Sequence, residues 1–162
     1  MDSKKAAQIM KAEIAKHCPD YHFKWNRGKR MLGQCCYTTK TLSLSKFGVE
    51  LNSEEEIQDV ILHEIAHALV GPGHNHNRVW KNKAVSIGCN GTRTAKSATI
   101  VEPNYVGICP NCKKSTNVYR IRKRKSACKE CCDKHNGGKF SEKFVFLYKK
   151  WNKDGYTEEE VQ

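Results

Sequence analysis

Apolar residues recur at helical spacing over residues 3–17, where Ala6, Ile9, Met10 and Ile14 stand behind Ser3 as N-cap. The pattern predicts an amphipathic helix packed on a sheet. From residue 21 the period shortens: residues 21–26 (YHFKWN) and 40–45 (KTLSLS) alternate as strands do, and the QCCYTT between them is rich in β-compatible residues. Arg27-Gly28-Lys29-Arg30 reads as a turn.

The pattern changes again in NSEEEIQDVILHEIAHALVGPG, where Ser53 stands three residues before Glu56 as a capping box and Gly71-Pro72-Gly73 ends the helix. Ile57, Val60, Ile61, Leu62, Ile65, Ala68 and Leu69 cover more than one stripe, which predicts burial on most sides. A further helix is expected over about residues 77–87, stopped by Gly88 and the CNGT that follows.

Residues 89–105 are polar and aperiodic, as a connector would be. Beyond them, NVYRIRKRK and residues 143–150 (KFVFLYKK) read as strands, and DGYTEEEVQ as a frayed end. The expected division is therefore residues 1–100, residues 101–150 and a flexible tail over residues 151–162. The class is α+β.

With 162 residues, 38% hydrophobic and 28% charged, the chain has room for one compact domain and a small appendage. Its net charge of +12 would draw a polyanion, nucleic acid above all. The N-terminus lacks the apolar core of a secretion signal, and the longest apolar stretch is broken by His63, Glu64 and His67. A cytoplasmic or nucleoid-associated monomer is expected, neither secreted nor in a membrane. In such a reducing compartment the nine cysteines read as metal ligands or buried thiols rather than disulfides.

His63 and His67 stand four apart on the expected helix, so both imidazoles reach one ion. Glu64 between them completes HExxH, in which the glutamate accepts a proton from water activated by zinc. Burying these three polar groups on an apolar helix without a metal would be costly. For the third ligand, Val70 and Gly73 occupy the places of the glycine and histidine of HExxHxxGxxH, and no acid lies between Ala68 and Val101. His74 and His76 remain. In a helix His76 shares a stripe with Trp80, Ala84 and Ile87, while His74 aligns with Asn77, Arg78 and Lys81. The phase favours His76, with His74 the alternative or a lining residue.

Cys109, Cys112, Cys128 and Cys131 form two CxxC pairs with fifteen residues between, the spacing of a zinc ribbon whose closed site is structural. Cys132 competes with Cys131 as fourth ligand. Cys18, Cys35, Cys36 and Cys89 read as unliganded, although Cys35 or Cys36 upstream of HExxH would be a rival for zinc. Between the pairs lies a run of cations without one acid, and in a strand Arg120, Arg122 and Arg124 would form a basic ridge with Lys123 and Lys125 nearby. Such a ridge suits phosphate contacts, with Tyr119 beside it for stacking.

RMLGQCCYTTKTLSLS, HEIAHALVGPGHNHNRVWKNKAVSIG and the four-cysteine segment together resemble the SprT-like family of zinc metalloproteases, which includes the Spartan proteases. The resemblance runs over most of residues 5–149. It implies a zincin-like core of N-terminal helix, small sheet, HExxH helix and second ligand helix, followed by a zinc ribbon. It also implies His76 as third ligand, four residues before Trp80 as in a pattern like HGxEW. HNRVW lacks that glycine and acid. The activity implied is zinc-dependent cleavage of proteins bound or crosslinked to DNA, with one catalytic and one structural zinc. Two other readings stand beside it: a non-catalytic zinc-containing nucleic-acid-binding or transcription-associated protein, and a zinc hydrolase of small amides.

Overall fold

The computed structural model describes residues 1–93, 99, 101–152 and, as backbone, 155–161. It divides into two compact units, Met1–Val101 and Glu102–Gln162.

The first unit opens with α1 (Ser3–His17), whose Ala6, Met10 and Ile14 are buried. Its N-cap is Asp2 rather than the expected Ser3: the Asp2 carboxylate accepts the Lys5 N–H at 3.0 Å, a bond one residue upstream of the assignment made from the apolar spacing. Three strands follow: β1 (His22–Asn26), β2 (Gly33–Cys36) and β3 (Thr41–Ser45). They lie in the order β1-β3-β2, with β1 parallel and β2 antiparallel to the central β3. That central place explains why Leu42, Ser43, Leu44 and Ser45 are all buried. Leu42 and Leu44 join the core with α1, while on the opposite face Ser43 accepts the Asn26 amide at 3.0 Å.

Ser45 ends β3 by starting a short helix the periodicity did not reveal, α2 (Lys46–Leu51). Its hydroxyl accepts the Gly48 N–H at 3.1 Å and donates to the Gly28 carbonyl at 2.5 Å, tying the turn after β1 to the cap. Only six residues long, α2 buries Val49 and Gly48, too little for a periodic signal. Asn52 closes it from a buried position, donating to the Gly48 carbonyl at 2.7 Å and bonding the Thr99 backbone as both donor and acceptor.

Helix α3 (Glu54–Val70) has the capping box formed by Ser53 and Glu56 and ends at Gly71, whose φ of 75° suits glycine. Ile57, Ile61 and Ile65 face the main core with Met10, Leu42 and Leu44. Its other side carries Ala66 into a second cluster with Trp80 and Ala84 of α4 (Arg78–Ser86) and with Cys89. Burial on most sides thus holds until the last turn, where Leu69 is 37% exposed. The expected connector begins differently: Cys89 and Gly91 are buried, and the Asn90 N–H donates to Asp59 of α3 at 2.7 Å. Polar residues there serve intramolecular bonds, so loss of periodicity did not mean loss of packing. The rest of that segment at residues 94–98 and 100 lies outside the described residues.

The second unit holds a four-stranded antiparallel sheet, β5-β4-β6-β7, made of β4 (Tyr105–Ile108), β5 (Ser115–Val118), β6 (Leu147–Asn152) and β7 (Gly155–Val161). Helix α5 (Lys129–His135) and a 3-10 turn (Glu142–Phe144) lie between β5 and β6. Three expectations are corrected here. NVYRIRKRK is not a strand throughout: β5 ends at Val118 and residues 119–126 run as bends and loop, because β4 offers only four residues to pair. The closing strand starts at Leu147, since Glu142–Phe144 form the 3-10 turn that buries Phe144. Within residues 151–162, expected as a flexible tail, residues 151–152 end β6 and residues 155–161 form β7, which pairs with it from Asn152↔Gly155 to Tyr148↔Val161.

No helix among the described residues is long and apolar enough to cross a membrane. Replacing Ser53 by Ala removes the acceptor for the Glu56 N–H and should destabilise the first unit by about 1 kcal/mol, read from hydrogen exchange in α3.

Candidate metal centre

The centre is built on the seam where α3 faces α4. His63 and His67 stand one turn apart on α3, and His76 comes from the loop between the helices. His76 Nε2 lies 3.0 Å from His63 Nε2 and 3.1 Å from His67 Nε2. Bonds of about 2.1 Å from three nitrogens to one ion at tetrahedral angles require nitrogens about 3.4 Å apart, so the two sides that meet at His76 are a few tenths of an ångström tight, and all three nitrogens lie within 4.8 Å of one another. The donor set fits zinc. Beneath it lies the ring of Trp80, 1% exposed, with its centroid 4.6, 5.2 and 4.6 Å from those of His63, His67 and His76.

His76 reaches this point by a route that helical phase did not foresee. It precedes the N-cap of α4, Asn77, and has a left-handed backbone with φ of 53°. The stripe shared with Trp80 and Ala84 therefore does not aim it; the turn does. His74 belongs to the cap: its Nδ1 lies 3.2 Å from Asn77 Nδ2, while Asn77 Oδ1 accepts the Val79 and Trp80 N–H groups. It is absent from the three-nitrogen cluster.

The outward ring nitrogens have partners of their own. The His63 side chain bonds the Thr92 backbone, and His67 Nδ1 lies 3.5 Å from the Tyr37 hydroxyl. Burial, reinforced by His76, pushes the His63 imidazole down to about 4. Burial with His63 and His76 nearby does the same to His67. His76 is lowered by burial and by Arg93. Neutral imidazoles are what a metal ligand set needs.

Glu64 is 8% exposed, and burial raises its carboxyl to about 8 against the opposing effect of a bond from the Cys35 backbone. It lies on β2 so closely that a methyl group on Gly33 would come within 2.7 Å of its Cγ and Oε1. The first residue of the strand therefore has to be glycine for the carboxylate to sit there. A cleft of about 510 Å³ opens over these groups, walled by Gly33, Gln34, Cys35 and Tyr37 on one side and including Asn75 and Arg93. Thr92 and Arg93 carried no signal in the sequence, and Gly33 and Tyr37 none beyond their place in RMLGQCCYTT, because each is brought to the helix by chain far from HExxH.

In the second unit, Cys109 and Cys112 come from the tight turn after β4, and Cys128 and Cys131 from the start of α5. Their four sulfurs lie within 4.8 Å of one another. Cys109 Sγ is 3.7 Å from Cys131 Sγ, and Cys112 Sγ is 3.7 Å from Cys128 Sγ. Tetrahedral bonds of about 2.3 Å place sulfurs about 3.8 Å apart. Although burial opposes it, the backbone N–H groups of Cys112 and Asn111 lower the Cys109 thiol to about 7. Cys132 is buried in the same small core but stands outside the four-sulfur group. Cys35 and Cys36 belong to neither group; Cys35 faces the cleft. Arg120, Arg122, Lys123, Arg124 and Lys125 are all exposed on the loop after β5, with Lys125 paired to Glu142 at 2.8 Å. They do not form a strand ridge.

Residues 4–100 match the model of the SprT-like family. A solved structure, the crystal structure of the metallopeptidase zymogen of Methanocaldococcus jannaschii jannalysin, is similar at 22% identity and a TM-score of 0.44, over 52% of this chain and 83% of that one. No curated protein sequence matches significantly.

The buried carboxyl has a consequence for the protein stripped of metal. Glu64 holds its proton in the fold up to about 8 but loses it near 4.5 when unfolded, so its contribution to stability falls as pH rises from 4.5 through 8. His63 and His67 act oppositely between their unfolded 6.5 and folded 4, costing stability as pH falls. Glu64→Gln should flatten the loss above pH 6.5, by up to about 1.4 kcal/mol per pH unit, in hydrogen exchange of α3.

Proposed function

The chain belongs to the SprT-like family, and on that premise we propose that it is a zinc-dependent endopeptidase associated with DNA, cleaving DNA-bound or DNA-crosslinked proteins. One observation carries the reading: a buried glutamate lies beside three converging imidazole nitrogens at the floor of a cleft. A scaffold site would need the ligands alone. The intact Glu64 supports an enzyme over a non-catalytic binding protein.

His63, His67 and His76 would hold the catalytic zinc. A zinc ion held there supplies a water acidic enough to ionise near neutral pH and polarises a peptide carbonyl. Glu64 takes the proton of the attacking water and passes it to the departing amine. Its seat against Gly33 keeps the carboxylate pointed along β2 instead of out to solvent. The cation's charge, absent from the burial balance described above, favours the ionised form that a base requires. Among the described residues β2 pairs only with β3, so no strand covers its other edge, where Gly33, Gln34 and Cys35 line the cleft and the Cys35 backbone bonds Glu64. A peptide substrate adds to that edge as an extended strand, with its scissile carbonyl over the histidines.

Cys109, Cys112, Cys128 and Cys131 would hold a second, structural zinc. The core of that unit is little more than the cysteines and Phe144, too small for stability without a cross-link. DNA is the partner that the net charge of +12 and the exposed Arg120, Arg122, Lys123, Arg124 and Lys125 suit best. On a loop, these side chains address phosphates rather than a fixed set of bases.

Proteolysis of a DNA-binding protein, with and without DNA, tests the activity. Glu64→Gln should cut the rate by about 10²–10⁴-fold, and cleavage that survives the substitution unchanged would sink the enzyme reading. Reversing charge at Arg120, Arg122 and Arg124 should abolish stimulation by DNA while sparing cleavage of a short peptide; stimulation that persists removes this loop from DNA binding. Metal analysis should give two zinc ions per chain, one in His76→Ala and still two in His74→Ala.

A further inference from the structure

The loop after α4 does more than connect. We propose that Asp59 is a positioning residue for the histidine cluster, acting through residues 89–92 to hold the Thr92 carbonyl against the His63 ring. The inference rests on the reading of that cluster as a zinc site.

Asp59 lies on α3 one turn before His63, on the same face of the helix. Its Oδ1 accepts the Asn90 N–H at 2.7 Å, and the Cys89 thiol bonds the same carboxylate. Asn90 in turn uses its own side chain to shape the next two residues: its Oδ1 accepts both the Thr92 N–H and the Thr92 hydroxyl, each at 2.7 Å. Gly91 between them has φ of 69°, and a methyl group there would come within 2.9 Å of Val85 Cγ2. Upstream, the buried Cys89 donates its N–H to the Ala84 carbonyl at 3.0 Å. The loop is thus fastened to the end of α4 at one point and to α3 through Asp59 at another.

What this fastened loop presents is the backbone of Thr92, which bonds the His63 side chain. With Nε2 in the cluster, Nδ1 is the nitrogen left to donate, and a carbonyl can only accept. The bond therefore selects the tautomer in which Nε2 has a free lone pair for a metal. Outer partners of this kind orient ligand imidazoles and tune metal affinity. His67 has a side-chain partner in Tyr37, but His63 depends on a backbone atom, which only the fold of the loop can place. Asp59 supplies the acceptor oxygen for that fold.

The test uses the full chain and two readouts. Zinc affinity of the histidine site is measured by competition with a chelator, the cysteine site serving as internal reference. The His63 Nδ1 proton is followed in the zinc-loaded protein by nitrogen-edited NMR. Asp59→Ala should weaken the histidine site about 10–100-fold, leave the cysteine site unchanged and expose the imidazole proton to exchange. Asp59→Asn keeps an oxygen for the Asn90 N–H and should restore both readouts. Equal zinc affinity and an unchanged proton signal in Asp59→Ala would overturn the inference while leaving the zinc-site reading intact. A wild-type chain that binds zinc only at its cysteines would overturn both. Should Asp59→Ala fail to fold, Asn90→Ala removes the acceptor for Thr92 from an exposed position. A loss of zinc affinity there supports the inference, and none overturns it.

Discussion

Everything in the first unit answers to one difficulty: α3 must lie between two apolar clusters while carrying two histidines and a glutamate. Burying three such groups without partners would cost several kcal/mol each. The structure meets the difficulty by geometry. The imidazoles stay neutral and turn their Nε2 atoms toward one point, their outer nitrogens face Thr92 and Tyr37, and the carboxyl rests against a strand. Hydrophobic packing of Ile57, Ile61 and Ile65 on one side and Ala66 against Trp80 on the other holds the helix in that position.

The supporting elements follow from this arrangement. Gly33 has no side chain because the Glu64 carboxylate occupies the space. Trp80 is large, flat and buried because three rings need a floor, and Ala84 behind it is small because α3 and α4 approach closely there. Gly71, Gly73 and the positive φ of His76 let the chain reverse within a few residues and return an imidazole to the helix it has just left. Rigid helices carry two ligands and a tight loop carries the third, so the triangle of nitrogens depends on the turn as much as on the helix.

The second unit solves a different problem with similar chemistry. Its sheet has only small buried surfaces, and its centre is four cysteine sulfurs at metal-ligand spacing with Cys132 and Phe144 around them. A structural ion would replace the core that sixty-odd residues cannot build. After β5 the chain runs as a loop in which Tyr119 and Ile121 are half-buried. The cations there stand exposed on that loop instead of in the sheet.

How much of this could be read from the residues alone varies with the range of the interaction involved. Helix α3, its capping box, its glycine stop and the HExxH triad are local patterns, and local hydrogen bonding and periodicity determine them. The two CxxC pairs are likewise a matter of spacing. His76 was legible as a candidate by elimination, but the reason offered for it, helical phase with Trp80, was not the one the fold uses. The basic run misled because strand propensity says nothing about the length of the neighbour, and β4 stops after four residues. The tail misled because β7 needs β6 before its own polar sequence becomes a strand. By itself the sequence determined the chemistry available: which side chains can bind a metal and which helix carries them. Only the tertiary structure decided which backbone meets those side chains, from Gly33 under Glu64 to Thr92 behind His63. Such contacts join residues up to some thirty positions apart, and no local pattern encodes a distance that the packing of the whole unit must set.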